Sequence, residues 1–364
     1  VGVNYSIDRD APSVIGVDVP TNGTYVAGQN LDFTVHLSEN VQLNTSGGSP
    51  RLEVLLDNGQ TAWAEYLSGA GTSALMFRLT VITGQLDTSG ITVGNTIQLN
   101  GATLRDSVGN DAQLGLNGLA PTDGVLVDAV APVVSSVVSP ADGRYKAGDV
   151  LSFSVHASED LLLSGSPRLV LDIGGATRYA ALVPGGNSSI LIFQYTVQAG
   201  DNDANGISVS GNLDLNGGTV RDAAGNDLAL TLNGVGTTSG VIVDTVRPTA
   251  TIVVANNALS VGETSLVTIT FSEAVTGLEL SDFSVEHGAL SNLTSRDGGI
   301  TWTATLAPTV GITNTGNVIT LNNAGYADAA GNAGRGTTDS NHYAIDTQRP
   351  MATIVVADTA LAVG

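Results

Sequence analysis

The chain has 364 residues, 42% of them hydrophobic and 13% charged, and its 34 acidic side chains against 13 basic ones give a net charge of −21. This length suits two to four domains with packed cores, which excludes extensive disorder, and the strong negative charge excludes nucleic acid as a partner and favours cations. The absence of Cys excludes disulfides, thiolate catalysis and Cys-ligated zinc, and no apolar run is long enough to span a membrane.

The first segment, VGVNYSID, is similar to SNHYAID near the other end of the chain. Residues 1–10 are therefore expected to be the last strand of a preceding repeat plus a linker. The opening lacks the basic region and apolar core of a signal peptide. DRDAP, DAVAP, DTVRP and DTQRP mark successive linkers, which end at Pro12, Pro132, Pro248 and Pro350. Because a domain-sized interval separates them, the linkers indicate tandem repeats.

The first two repeats match along their length. GTYVAGQNLDFTVHLSE pairs with GRYKAGDVLSFSVHASE, and LNGATLRDSVGND pairs with LNGGTVRDAAGND. The third repeat is of a different subtype but keeps an early Ser-Glu, a late Asp-x-x-Gly-Asn and a final Asp-Thr. The expected boundaries are 11–130 for the first repeat, 131–246 for the second and 247–348 for the third. Residues 349–364 are expected to be the first strand of a following repeat.

Strand patterns fill each repeat. LDFTVHL, LMFRLTVI, ILIFQYTV, LVTITF and TWTATL alternate or run apolar over five to eight residues, and Gly, Asn, Asp and Ser separate them. No window keeps a helical period. About seven short strands in about 100 residues predict an all-β chain of tandem Ig-like β-sandwiches arranged as an extended rod.

Acidic motifs recur at the poles of these predicted sandwiches. The Ser-Glu motif follows the second strand, Asp-x-x-Gly-Asn precedes the last strand, and both should lie at the pole that faces the preceding repeat. The last strand ends on an Asp at the opposite pole. The candidate metal ligands are Asp8, Asp10, Glu39, Asp106 and Asn110 at the first junction, Asp128, Glu159, Asp222 and Asn226 at the second, Asp244, Glu273, Asp328 and Asn332 at the third, and Asp346 at the end of the third repeat.

Three converging carboxylates repel one another unless a cation lies between them. Ca²⁺ accepts about six to eight oxygen ligands in tolerant geometry, whereas transition metals prefer His or Cys, so Ca²⁺ is the expected ion. The alternative is a structural turn, in which the Asp caps backbone N–H groups and the Gly takes a positive φ. The recurrence of all three motifs together favours the metal.

A second metal candidate is DNDANG, with Asp201, Asp203 and Asn205 as ligands. It matches the first half of a calcium loop but lacks the Glu expected at the twelfth position, so an Asx-rich loop is the alternative. The chain has no motif of a hydrolase, zinc protease or nucleotide-binding enzyme and is expected to be non-catalytic. Trp63 and Trp302 are isolated in the sequence and are expected to be core aromatics rather than a platform for sugars.

The third repeat, with TITFSEAVTGLELSDFSVEHGALSNLTSRDGGITWTATLAPT and DAAGN, resembles the bacterial Ig-like domains of giant surface adhesins, which are often secreted by type I systems and carry RTX repeats. The first two repeats resemble a sister subtype with SGSPRL and RDxxGND. The resemblance implies Ca²⁺-stiffened extender domains at the bacterial cell surface, which hold an adhesive tip away from the cell for adhesion or biofilm formation. The expected partners are neighbouring repeats of the same chain, in a monomer. The alternative function is an Ig-like module that itself binds glycan, protein or ice.

Overall fold

A computed structural model describes residues 7–57, 59–185 and 188–357 of the chain. The first repeat contains the strands β1 (Val14–Asp18), β2 (Gly23–Tyr25), β3 (Asn30–Leu37), β4 (Gln42–Asn44), β5 (Arg51–Leu55), β6 (Thr61–Ser68), β7 (Ala74–Thr80), β8 (Leu86–Asp87), β9 (Thr92–Val93), β10 (Thr103–Arg105) and β11 (Val125–Asp128). The second repeat contains β12 (Val134–Val138), β13 (Gly143–Tyr145), β14 (Val150–Ser164), β15 (Arg168–Ile173), β16 (Ala176–Leu182), β17 (Ser188–Thr196), β18 (Asn202–Asp203), β19 (Ser208–Val209), β20 (Thr219–Arg221) and β21 (Val241–Asp244).

The third repeat contains β22 (Ala250–Val254), β23 (Ala258–Ser260), β24 (Ser265–Phe271), β25 (Phe283–Val285), β26 (Gly288–Ser295), β27 (Thr301–Pro308), β28 (Thr313–Asn317), β29 (Ile319–Asn322), β30 (Thr337–Asp339) and β31 (Tyr343–Asp346), with the 3₁₀ helices η1 (Leu280–Asp282) and η2 (Asn323–Gly325). Over the described part of the chain, no helix is long and apolar enough to cross a membrane.

Each repeat packs one larger sheet against smaller ones. The larger sheets have the strand orders β1-β3-β7-β6-β5-β9, β12-β14-β17-β16-β15-β19 and β22-β24-β27-β26. In the smaller sheets the last strand of each repeat runs parallel to the second strand, as β11 does to β2, β21 to β13 and β31 to β23. Sheets that face each other and bury alternate side chains form a sandwich. The fold is all-β with Ig-like β-sandwich domains, as the sequence predicts.

The central strands bury alternate residues because successive side chains of a strand point to opposite faces. In β3, Leu31, Phe33 and Val35 are fully buried, and Phe33 lies opposite Phe77 of β7. The second repeat has the same pairing between Phe153 and Phe193. Buried apolar residues fall into three separate clusters, within 14–129, 134–243 and 250–345. Each repeat therefore has its own core.

Two expectations differ from the structure. Glu159 lies inside the long strand β14 rather than in a loop, because β14 continues through an irregular stretch between His156 and Leu161 where the first repeat instead separates β3 from β4. Trp63 is not a core aromatic: Ala62 and Ala64 take the buried positions of β6, and the Trp63 ring lies half-buried on the other face with the Arg51 guanidinium 3.7 Å from its centroid.

The expected terminal strands lie largely outside the described residues. Residues 1–6 and 358–364 belong to those parts, and 351–356 are exposed without forming a strand. Trp302 does pack against the third core, and its Nε1–H donates to the carbonyl of Gly299 at 3.1 Å.

Candidate metal centres at the repeat junctions

The acids of the predicted junctions meet in three groups. In each group a linker Asp, a Glu and the Asp of Asp-x-x-Gly-Asn place one carboxylate oxygen each within 4.8 Å of the others. The three groups are Asp8 with Glu39 and Asp106, Asp128 with Glu159 and Asp222, and Asp244 with Glu273 and Asp328. Each group joins the end of one repeat, or its linker, to two segments of the next repeat, which are two loops except for Glu159 inside β14.

The Asp of each turn is buried and also holds the turn together. Asp222 is 1% exposed; its Oδ1 accepts the backbone N–H groups of Gly225 and Asn226 at 2.7 and 2.8 Å. Its Oδ2 accepts the side-chain amide of Asn226 at 2.8 Å. Gly225 has a φ of 104°, which residues other than glycine rarely adopt. The structural-turn interpretation is therefore correct for the backbone, and the same carboxylate also lies within 4.8 Å of the other two acids.

Hydrogen bonding keeps the turn Asp ionised at the first junction. Burial opposes the charge of Asp106, but hydrogen bonds from Asn110 and from the N–H groups of Gly109 and Val108 outweigh it and lower the pKa of Asp106. A carboxylate that accepts several N–H bonds favours its charged form. The first group of acids therefore has one member whose charged form is favoured.

The Glu of each group is in the opposite situation. Glu39, Glu159 and Glu273 are half-buried, and in the described ranges no hydrogen bond or ion pair reaches their carboxylates. Burial and the nearby charges of Asp222 and Asp128 raise the pKa of Glu159. Burial and the charges of Asp8, Asp106 and Asp10 do the same for Glu39.

The linker is tied to the turn by the Asn of the motif. The Nδ2 of Asn226 donates to the carbonyl of Asp128 at 3.0 Å, and that of Asn332 donates to the carbonyl of Asp244 at 2.9 Å. At the first junction, Asn110 makes longer bonds to the carbonyls of Asp8 and Asp10. The predicted Asn ligands thus turn their amide nitrogens to the linker. Their visible role is to position the linker Asp next to the other two acids.

Two further predicted ligands lie apart from the three-acid groups. Asp10 donates its backbone N–H to Asp8 Oδ1 at 3.0 Å, so it stands beside the first group and acts on Glu39 through its charge. Asp346 ends β31 and accepts a hydrogen bond from the Thr313 hydroxyl at 2.9 Å. Within residues 7–57, 59–185 and 188–357 it has no second and third acid at metal-binding distance.

The second metal candidate has its carboxylates occupied by protein donors. Asp201 accepts bonds from Arg178 and from the Tyr195 hydroxyl, and its side chain is fully buried in this ion pair. Asp203 accepts the N–H groups of Gly174 and Asn205 at 2.7 and 3.2 Å. These contacts match the Asx-rich loop of the alternative interpretation, and among the described residues no third acid joins these two at metal-binding distance.

Three basic residues at the third junction were not predicted. Lys146 Nζ donates to the carbonyl of Gly331 at 3.0 Å, and Arg247 Nη1 donates to that of Ala333 at 2.7 Å. The charge of Arg144 acts on Glu273, where it partly offsets the rise in pKa caused by burial and by Asp244 and Asp328. The signal in the sequence was the change from GTYVAG to GRYKAG and from DAVAP to DTVRP.

The donor set suits a hard cation. Each group offers three carboxylates and no nitrogen or sulfur ligand, and Ca²⁺ completes such a set with carbonyls and water. Among the described residues, the Glu carboxylate of each group has no hydrogen-bond donor and lies between two other acids. A bound Ca²⁺ would neutralise its negative charge. The residues present therefore fit Ca²⁺ better than a transition metal.

Residues 244–345 match the family model of a bacterial Ig-like domain. This supports Ig-like repeats in the chain, through the third repeat. Among solved structures, a DUF4785 family protein from Legionella pneumophila is 12% identical, over 57% of this chain and 52% of that chain, with a TM-score of 0.21. This chain thus spans about half the length of that protein. A comparison with curated proteins gives no match.

Proposed function

We propose that the chain is a non-catalytic structural extender of a bacterial cell-surface adhesin, which projects a distal adhesive tip for adhesion or biofilm formation. The bacterial Ig-like match of residues 244–345 supports the class of module. Three repeats with separate cores and short linkers support a spacer rather than one large binding domain. In this proposal the repeats form a rod outside the cell, with neighbouring repeats as their partners in a monomer.

The observation that carries the proposal is the recurrence of one unpartnered Glu between two other acids at each of three successive junctions. Surface carboxylates often lie near one another without a metal, but they turn outwards or take up donors. Glu159 and Glu273 do neither, since both are half-buried and face two further carboxylates. Repetition at equivalent positions of two repeat subtypes indicates a shared purpose.

Ca²⁺ is the ion that we propose for these junctions. Bound to acids from both sides of a junction, it would restrict the angle between repeats, which a short linker alone does not fix. Its chemistry here is electrostatic: it offsets the repulsion among the carboxylates. The residues that would hold it are the linker Asp, the Glu and the turn Asp of each group, while the Asn positions the linker.

The test is the thermal stability of the full chain in EDTA and in millimolar Ca²⁺, with Mg²⁺ at equal ionic strength as the control. An ion that binds only the folded state stabilises it by mass action, about 2.7 kcal/mol when its concentration is 100 times Kd. We expect the unfolding temperature to rise in Ca²⁺ and much less in Mg²⁺. Equal unfolding temperatures in all three buffers would contradict the proposal.

A further inference from the structure

The second and third junctions differ in charge although their acids correspond. Around Asp128, Glu159 and Asp222, the positions that match the three basic residues of the third junction hold Thr24, Val26 and Ala131. Around Asp244, Glu273 and Asp328 they hold Arg144, Lys146 and Arg247. The second junction therefore lacks the basic side chains of the third, where the charge of Arg144 acts on Glu273 and Lys146 and Arg247 bond to the turn loop.

The basic side chains of the third junction also make contacts. Lys146 belongs to the second repeat, and its Nζ reaches across the junction to the carbonyl of Gly331 in the Asp-x-x-Gly-Asn turn of the third repeat, at 3.0 Å. Arg247 of the linker donates to Ala333 in the same loop at 2.7 Å. Together with the bond from Asn332 to the carbonyl of Asp244, at 2.9 Å, three hydrogen bonds tie this loop to the second repeat and the linker.

The second junction has fewer such contacts. Among the described residues, the side-chain bonds that cross it come from Asn226 to Asp128, at 3.0 and 3.4 Å. The side chains of Val26 and Ala131 have no hydrogen-bond donor that could reach the turn. Without a cation, this junction has one side-chain tie and three mutually repelling carboxylates.

We propose that the contact between the second and third repeats is a cation-independent lock made by Lys146 and Arg247, so that removal of Ca²⁺ opens a hinge at the second junction only. A direct hydrogen bond between exposed groups contributes little by itself. It acts here between groups that the linker already holds close, where a weak contact is strongly favoured. The charge of Arg144, which acts on Glu273, lowers the repulsion that would otherwise separate the repeats.

The test uses the absence of native Cys to place spin labels. Thr61, Thr177 and Thr294 are exposed strand residues, one in each repeat and outside the junctions. The pair Thr61→Cys/Thr177→Cys reports on the second junction, and Thr177→Cys/Thr294→Cys reports on the third. Distance distributions are measured on the full chain in Ca²⁺ and in EDTA.

We expect EDTA to broaden the distribution across the second junction and to leave that across the third as narrow as in Ca²⁺. Lys146→Val/Arg247→Ala places at these two positions the residues that match them in the second junction. It should broaden the distance distribution across the third junction in EDTA but not in Ca²⁺. The reciprocal variant Val26→Lys/Ala131→Arg should narrow the distance distribution across the second junction in EDTA. Circular dichroism of each variant checks that the repeats stay folded.

The prediction for the second junction rests on the proposed function, and that for the third does not. If Ca²⁺ has no effect on the second junction, the proposed role of the ion is wrong while the lock can still stand. If EDTA broadens the third junction of the unsubstituted chain as much as the second, or Lys146→Val/Arg247→Ala has no effect there in EDTA, the lock is wrong.

Discussion

The Asp of Asp-x-x-Gly-Asn has two roles because a carboxylate has two oxygens. In Asp222, Oδ1 accepts the backbone N–H groups of the turn, Oδ2 accepts the Asn226 amide, and the carboxylate lies within 4.8 Å of those of Asp128 and Glu159. The two explanations for the repeated Asp, a turn and a metal ligand, are therefore compatible. The Glu distinguishes them, since it has no part in the turn.

The first substitution to test is Glu159→Gln. Gln keeps the size of the side chain and removes a charge that only other acids surround, so we expect the chain to be more stable than the unsubstituted protein in EDTA. In Ca²⁺ we expect Glu159→Gln to be less stable than the unsubstituted protein, because the proposed site loses one charged ligand. Unfolding temperatures in both buffers measure this crossover. Glu65→Gln, an exposed Glu of the first repeat, is the control, and no crossover is expected for it.

At the scale of the element, the turn also explains the outer residues of RDxxGND. Arg105 pairs with Asp111 and Arg221 with Asp227, each at 2.6 Å across the base of the turn. The third repeat has Ala327 and Ala333 at these positions, where they form the same backbone bridge. The ion pair is therefore dispensable for the turn, as expected for exposed pairs, which contribute about 0–1 kcal/mol.

This comparison gives a prediction for the second repeat in EDTA. Asp222→Ala leaves buried N–H groups without an acceptor and should lower the free energy of unfolding by about 1–3 kcal/mol, independently of any ion. Arg221→Ala/Asp227→Ala should cost less than about 1 kcal/mol. Hydrogen exchange of peptides from the second repeat, in the full chain under increasing urea, measures both. Equal effects would mean that the turn does not depend on its buried Asp.

Much of each element could be predicted from the sequence. Alternation in LDFTVHL and its relatives identified the strands because one face of each is buried, and the matching motifs of the repeats indicated which loops share a pole. The continuity of β14 through Glu159 was missed, since bulges have no strong local pattern. The position of Trp63 on the outer face of β6 was missed because it depends on strand register. In the observed register Ala62 and Ala64, on either side of it, point into the core. The contacts of Lys146 and Arg247 could not be predicted, because they depend on how the second repeat and the linker meet the turn of the third repeat.

For the whole molecule, the proposed Ca²⁺ sites predict that the angle between repeats depends on both cation and pH. The pKa of Glu159, at the second junction, is raised from an ordinary value of 4.5, as are the pKa values of Glu39 and Glu273. A raised carboxyl pKa means that the closed junction favours the protonated Glu. The resulting stability is present below the ordinary value and is lost as the pH rises through the raised one. The lowered pKa of Asp106 acts below its ordinary value of 3.8, outside this range.

Protonation and Ca²⁺ should therefore replace one another at the junctions. In EDTA, lowering the pH from neutral towards the ordinary value of 4.5 should protonate the Glu, reduce the repulsion and make small-angle scattering profiles more extended. In Ca²⁺ the profile should be extended at about pH 7 already, and the same acidification should weaken binding of the ion, because its ligands must be deprotonated. The dependence of Ca²⁺ affinity on pH, from calorimetry, is the second measurement. A chain carrying Gln at positions 39, 159 and 273 is the control, and its scattering in EDTA should change little with pH. If acidification in EDTA instead made the unsubstituted chain more bent, repulsion among these acids would not be what opens the junctions.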